Sequence, residues 1–226
     1  MSKNIRLFGL IKILKKEYLD DFLKGDLYMN DISFYRNDCD DLDEMFDNSE
    51  GTFTLNSKEG YKVLYGKELL GVCSDVSLSL SGGIKVFCMF GLYGKEVSVS
   101  QGTTSEELTR KFLYSDNMRT FGDAVCFIHD VKTFLDRVNN SAKQLDLQVD
   151  GGPLVYRDIE KFPIRSNEVG RVKPSRFSHQ AEYRLRIRDS KKEEHVILPI
   201  GDIRDIVILD TFEGFRSKIK IGFEEV

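Results

Sequence analysis

The chain has 226 residues, 41% hydrophobic and 31% charged, with a net charge of −4. That balance excludes a disordered chain, and at this length no disulfide staple is needed to bury a core. The acidic excess excludes nucleic-acid binding by bulk charge and leaves only a local basic patch as a route to it.

No stretch reaches the roughly 18 consecutive apolar residues of a membrane-spanning helix. The opening MSKNIRLFGLIKILKKEYL has lysines through its apolar pieces and no signal-peptide core. A cytoplasmic protein without membrane partners is expected. Cys39, Cys73, Cys88 and Cys126 contain no C-x-x-C pair and flank no histidine pair, so no metal is expected. The last three lie in apolar runs and read as buried thiols.

In chain order, Asn4–Leu10 reads as a strand. Leu14–Lys24 reads as a helix with Leu14, Tyr18, Leu19, Phe22 and Leu23 on one face and Gly25 as its stop. Asp26–Asn30 reads as a short strand. Asp38–Glu50 carries seven carboxylates and no base and reads as a solvated acidic loop; its spacing matches no calcium-binding loop. Thr52–Leu55, Tyr61–Tyr65 and Val76–Leu80 are strand candidates, and Ile84–Leu92 is a continuous apolar run suited to a strand buried on both faces.

Thr104 and Glu107 form a capping box that opens a helix to about Tyr114. Ala124–Ile128 reads as a buried strand. Asp130 caps a helix to about Leu145 that turns Val131, Phe134, Leu135 and Val138 inward. Gly151-Gly152-Pro153 is the clearest breaker and the place for a subdomain boundary, followed by a strand at Leu154–Arg157. Phe177–Arg188, His195–Ile200 and Asp205–Leu209 are the last strands, with a hairpin at Asp189-Ser190-Lys191-Lys192. The pattern is a single α+β domain over residues 1–226, mostly antiparallel, with about three helices.

Gly66-Lys67 and Gly94-Lys95 resemble the end of a phosphate-binding loop. Glu68 and Glu96 stand where Ser or Thr should hold magnesium, so both sites read as turns. His129, His179 and His195 read as structural histidines.

On Phe177–Arg188, strand alternation sends His179, Ala181, Tyr183, Leu185 and Ile187 to one face and Gln180, Glu182, Arg184, Arg186 and Arg188 to the other. The second face is either solvated or the lining of a cleft. Between Arg157 and Lys192, eleven Lys/Arg face five Asp/Glu, a local surplus of +6 that suits an anionic ligand.

Gln180-Ala181-Glu182 is similar to the Gln/Glu-x-Glu signature of ADP-ribosyltransferases. The opening resembles theirs as well, with a first strand carrying Arg6, a helix ending at Phe22-Leu23-Lys24-Gly25, and a second strand at Leu27-Tyr28-Met29. The resemblance implies an ADP-ribosyltransferase-like fold with NAD as substrate. Glu182 would be the catalytic carboxylate that holds a ribose hydroxyl as nicotinamide leaves, with Gln180 positioning or activating the acceptor. Departing nicotinamide leaves an oxocarbenium-like centre that a fixed carboxylate stabilises. Arg6 and Arg184 would be ligand contacts. So would Ser79, within Ser77-Leu78-Ser79-Leu80-Ser81, the nearest match to the family's absent Ser-Thr-Ser motif.

Most of the chain also resembles a broader group of uncharacterised bacterial and phage proteins. The matching pieces are Phe34-Tyr35-Arg36-Asn37-Asp38, Asp47-Asn48-Ser49-Glu50-Gly51 and Glu182-Tyr183-Arg184. Several of that group look like abortive-infection components, which implies an effector or toxin in phage conflict.

Three functions stay open. One is an NAD-consuming ADP-ribosyltransferase-like enzyme acting on a protein or nucleic-acid target. Another is a non-catalytic protein- or nucleotide-binding module on the same fold, with the basic segment and the acidic loop as contact surfaces. The third is a nuclease, since Glu182-Tyr183-Arg184 resembles a Glu-x-Lys site, although arginine is a poor replacement for that lysine.

Overall fold

The computed structural model describes residues 6–36, 45–80, 82–94, 104–188 and 194–220. The apolar run becomes strand β5 (Ile84–Tyr93), on which the main sheet is built; the strands before it are β1 (Leu7–Leu14), β2 (Asp26–Asp31), β3 (Thr52–Tyr65) and β4 (Glu68–Ser79). After it come β6 (Ala124–Ile128), β7 (Gln148–Pro153), β8 (Val155–Arg157), β9 (Val172–Pro174), β10 (Glu182–Arg188), β11 (His195–Pro199) and β12 (Val207–Thr211). The α-helices among the described residues are α1 (Leu19–Lys24), α2 (Ser105–Phe112), α3 (Val131–Gln144) and α4 (Phe212–Lys218). Every strand pairing is antiparallel except β8 with β9. The fold is thus mixed α and β with mostly antiparallel sheets, as expected.

One edge of β5 is paired along Ile84–Phe90 by β10, which β7 pairs in turn. The other edge is shared. β1 takes Phe90–Tyr93, and β2 takes Lys85 and Val86. From there the sheet forks into β1–β6–β12 and β2–β11. Phe87–Met89 therefore has no strand partner on the forked edge, and a buried carbonyl left unpaired is costly. Lys12 fills the gap: its Nζ donates to the Cys88 carbonyl at 2.8 Å and lies 4.3 Å from the Phe87 ring centroid. Burial holds the Lys12 ammonium below its ordinary value.

One sheet face packs Leu10, Leu27, Phe87, Met89, Leu185 and Ile187 against Phe22 and Leu23 of α1 and Phe134, Val138 and Ala142 of α3. The reverse face carries two separate apolar clusters. Ile11, Phe90 and Leu92 lie with Tyr114, Phe212 and Phe215; Ile84 and Val86 lie with Ile32, Ile164, Val169 and Val172.

Several boundaries differ from the sequence reading. β1 continues to Leu14, and the following helix begins later, as a 3-10 turn (Lys16–Tyr18) leading into α1. Gly25 does stop it, in a left-handed conformation (φ 91°) with its N–H bonded to Phe22 O. The Thr104–Glu107 capping box and the Asp130 cap are both present. Gly151-Gly152-Pro153 is not a breaker but lies inside β7, paired with Tyr183–Leu185. An edge strand tolerates Gly and a terminal Pro. Gly66-Lys67 is a hairpin turn, and Lys95 of the other expected turn lies outside the described residues. Cys126 is buried, whereas Cys88 and Cys73 are both half-buried, Cys73 on the ribbon formed by β3 and β4. The hairpin expected at residues 189–192 lies outside the described residues.

The ribbon takes the place of the separate short strands expected at Thr52–Leu55, Tyr61–Tyr65 and Val76–Leu80. β3 and β4 instead form one long two-stranded sheet of their own, and no residue of either strand is buried.

Candidate functional site

The largest correction concerns Phe177–Arg188. Residues 175–180 form a 3-10 helix, Ala181 adopts a left-handed conformation (φ 41°, ψ 46°), and only Glu182–Arg188 is strand. Gln180 and Glu182 thus do not share a strand face by alternation. The kink at Ala181, costing about 1–2 kcal/mol for a non-glycine residue, aims both at one cation. Lys173 of β9 donates to Gln180 Oε1 at 2.9 Å and to Glu182 Oε2 at 3.2 Å. His179, expected in the core, is exposed.

Of the polar row, Arg188 is solvated and the other four residues are not. Gln180, Glu182, Arg184 and Arg186 are all at most 6% exposed. Glu182, Arg184 and Arg186 lie opposite Phe90, Cys88 and Val86 of β5. They form a charged strip between the two apolar clusters of the reverse face. Arg184 Nε donates to Glu182 Oε1 at 2.7 Å, and its two terminal nitrogens grip both oxygens of Glu50 at 2.8 and 3.0 Å. Arg186 grips Asp150 in the same forked way and also donates to Val169 O. Such bidentate pairs are the geometry in which a buried guanidinium is best compensated.

Glu182 is ionised. Burial would raise its carboxyl, but the charges of Arg184 and Lys173 and hydrogen bonds from the Cys88 thiol and Arg184 outweigh that and bring it down to about 2. Burial pushes the Cys88 thiol up to about 12, against the pull of Arg184, so it stays protonated and unreactive. The Glu182 backbone N–H donates to the Tyr156 hydroxyl at 2.8 Å, which ties β10 to β8.

The acidic segment is likewise not simply solvated. Residues 38–44 lie outside the described residues, but Asp47 and Glu50 are 2% and 3% exposed. Asp47 accepts from the Ser49 backbone and hydroxyl, forming a turn that delivers Glu50 to Arg184. Sequence reading missed Glu50 as a site residue. Its available signal was that Glu50 closes the acidic run immediately before Gly51, a turn-forming residue.

The basic surplus of residues 157–192 is partly neutralised within the protein. Arg157 pairs with Glu168, Arg171 and Arg186 with Asp150, Lys173 with Glu182, Arg176 with Asp47, and Arg184 with Glu50. Asp47, Glu50 and Asp150 come from outside the segment, so a count confined to it overstates the charge left for a ligand.

The remaining expected residues lie apart. Arg6 is exposed, with its guanidinium 5.3 Å from the Phe8 ring, and it meets Gly94 beyond the far edge of β5 from Glu182. Ser79 is exposed on β4 opposite Thr52. Only Gln180, Glu182 and Arg184 are brought together. Two open clefts, of about 520 and 830 Å³, are lined by Lys15, Lys16 and Arg119 among others, and by Gly82, Lys143, Gln148 and Arg188 among others. Neither includes Gln180 or Glu182 in its lining. Among the described residues, no group of three or more His, Cys, Asp or Glu is placed to hold a metal ion, and no helix is long and apolar enough to cross a membrane.

Comparison with protein-family models, curated proteins and solved structures returns no match for this chain.

Proposed function

We propose that this protein is a non-catalytic protein-binding module, with the Glu50–Arg184–Glu182–Lys173 network as an internal clamp and the β3–β4 ribbon as its contact surface. The observation that carries this reading is the ribbon. It presents Val63, Leu64, Tyr65, Leu69, Leu70 and Val72 at 47–76% exposure, and no residue of either strand is buried. These six side chains gather around the ribbon's turn, and exposed apolar surface concentrated in one place marks an interaction site. The clamp supports the same reading, because both oxygens of Glu182 and both of Glu50 are engaged by the protein's own cations.

A second reading, an ADP-ribosyltransferase-like enzyme, is favoured by one observation. The residue between Gln180 and Glu182 is held in a strained left-handed conformation, and strain of that kind concentrates at working sites. NAD would then need the Glu50 side of the network to open before its ribose reached Glu182.

Incubating the protein with NAD, with and without cell lysate, and following nicotinamide separates the two. The binding module releases none. Release by the wild type that disappears in Glu182→Gln, while the far-ultraviolet circular dichroism is unchanged, would overturn it in favour of the enzyme.

A further inference from the structure

The β4 edge carries no charge from Leu69 to Ser74, and we propose that it pairs with the β4 edge of a second copy of this chain. This rests on the reading of the ribbon as a contact surface and names the partner. A two-stranded ribbon with no buried face is marginal in water, whereas a four-stranded sheet is not.

The two outer edges of the ribbon differ. The β3 edge is tied to the body where Thr54 N donates to Ile164 O at 2.8 Å, and further out it carries Lys58, Glu59 and Lys62. Charges, lysine above all, are how exposed edges are kept from pairing. The β4 edge from Leu69 to Ser74 has no charge and no proline.

Antiparallel pairing about a two-fold axis perpendicular to the sheet must place one residue opposite its own copy. Centring on Leu69 sets Glu68 opposite Leu70; centring on Leu70 sets Glu68 opposite Val72; centring on Val72 sets Leu69 opposite Asp75. Centring on Gly71 alone avoids setting a charge against an apolar side chain. It pairs Leu70 with Val72, Leu69 with Cys73 and Glu68 with Ser74 of the other copy, and brings Lys67, at the turn that opens β4, beside Asp75 of the other copy. Each apolar residue meets an apolar one, and opposite charges close both ends. The pairing uses one edge per chain and closes as a dimer rather than a fibre.

The test is sedimentation velocity of the full chain over a wide concentration range. The wild type should pass from monomer to dimer mass, and Leu70→Lys, at a side chain 63% exposed, should remain monomeric with an unchanged circular dichroism spectrum. Lys67→Asp alone should weaken the dimer about tenfold, and adding Asp75→Lys should restore it, which a dimer through any other surface would not do. A wild type that stays monomeric throughout, or a dimer indifferent to Leu70→Lys, overturns the proposal. Either result leaves the binding-module reading to be decided separately, by nicotinamide release.

Discussion

Glu50 shows how much of the site hangs on single side chains. Removing one partner of a buried ion pair strands the other, at a typical cost of about 3–5 kcal/mol. Glu50→Ala leaves the Arg184 guanidinium, 2% exposed at its side chain, with only Glu182 beside it. A loss of about 3 kcal/mol in urea unfolding is expected; a loss below about 1 kcal/mol would show that the pair is not desolvated in solution. Glu182 adds a pH signature. Its folded value is about 2 against an ordinary 4.5, so its contribution is fully present above pH 4.5 and is lost as pH falls towards 2. The wild type should lose urea resistance steeply across that window, and Glu182→Gln should flatten the slope there. Ala181 bears on the same network. Glycine relieves its left-handed strain, so Ala181→Gly should be nearly neutral, whereas Ala181→Val should destabilise by more than about 1 kcal/mol in the same assay.

At the scale of elements, local signals are legible where local chemistry decides. Gly25 stops α1 because only glycine adopts its φ of 91° at no steric cost, and a Cβ there would lie 1.9 Å from the Gly201 carbonyl oxygen. Gly25→Ala should therefore lower the thermal midpoint by several degrees, well beyond the effect of an exposed Gly→Ala change. The capping box and the Asp130 cap were legible for the same reason, since each is a contact between residues three apart. The strand Gln148–Pro153 was not legible, because Gly-Gly-Pro opposes strand formation locally and only pairing with β10 overrides it. Likewise nothing near Lys12 announces that it caps a carbonyl 76 residues away. Lys12→Met keeps its bulk but leaves the Cys88 carbonyl orphaned, and a loss of about 1–3 kcal/mol is expected by urea unfolding.

At the scale of the whole molecule, the body and the ribbon are stabilised by different means. The body buries its sheet on both faces, whereas the ribbon has no fully buried residue and is anchored at its base, where Phe53 packs against the Ile32–Ile84–Val172 cluster. The sequence by itself determined the class of fold, because period-2 apolar runs, helix caps and glycine stops are short-range statements about backbone and burial. It also singled out Gln180, Glu182 and Arg184 as one cluster. Only the tertiary structure decided that this cluster is enclosed, that Lys173 and Glu50 complete it, and that Arg6 and Ser79 are not part of it. The physical reason is range. A charged side chain looks the same in sequence whether water or a partner compensates it, and Glu50, the partner here, lies 134 residues from Arg184 along the chain.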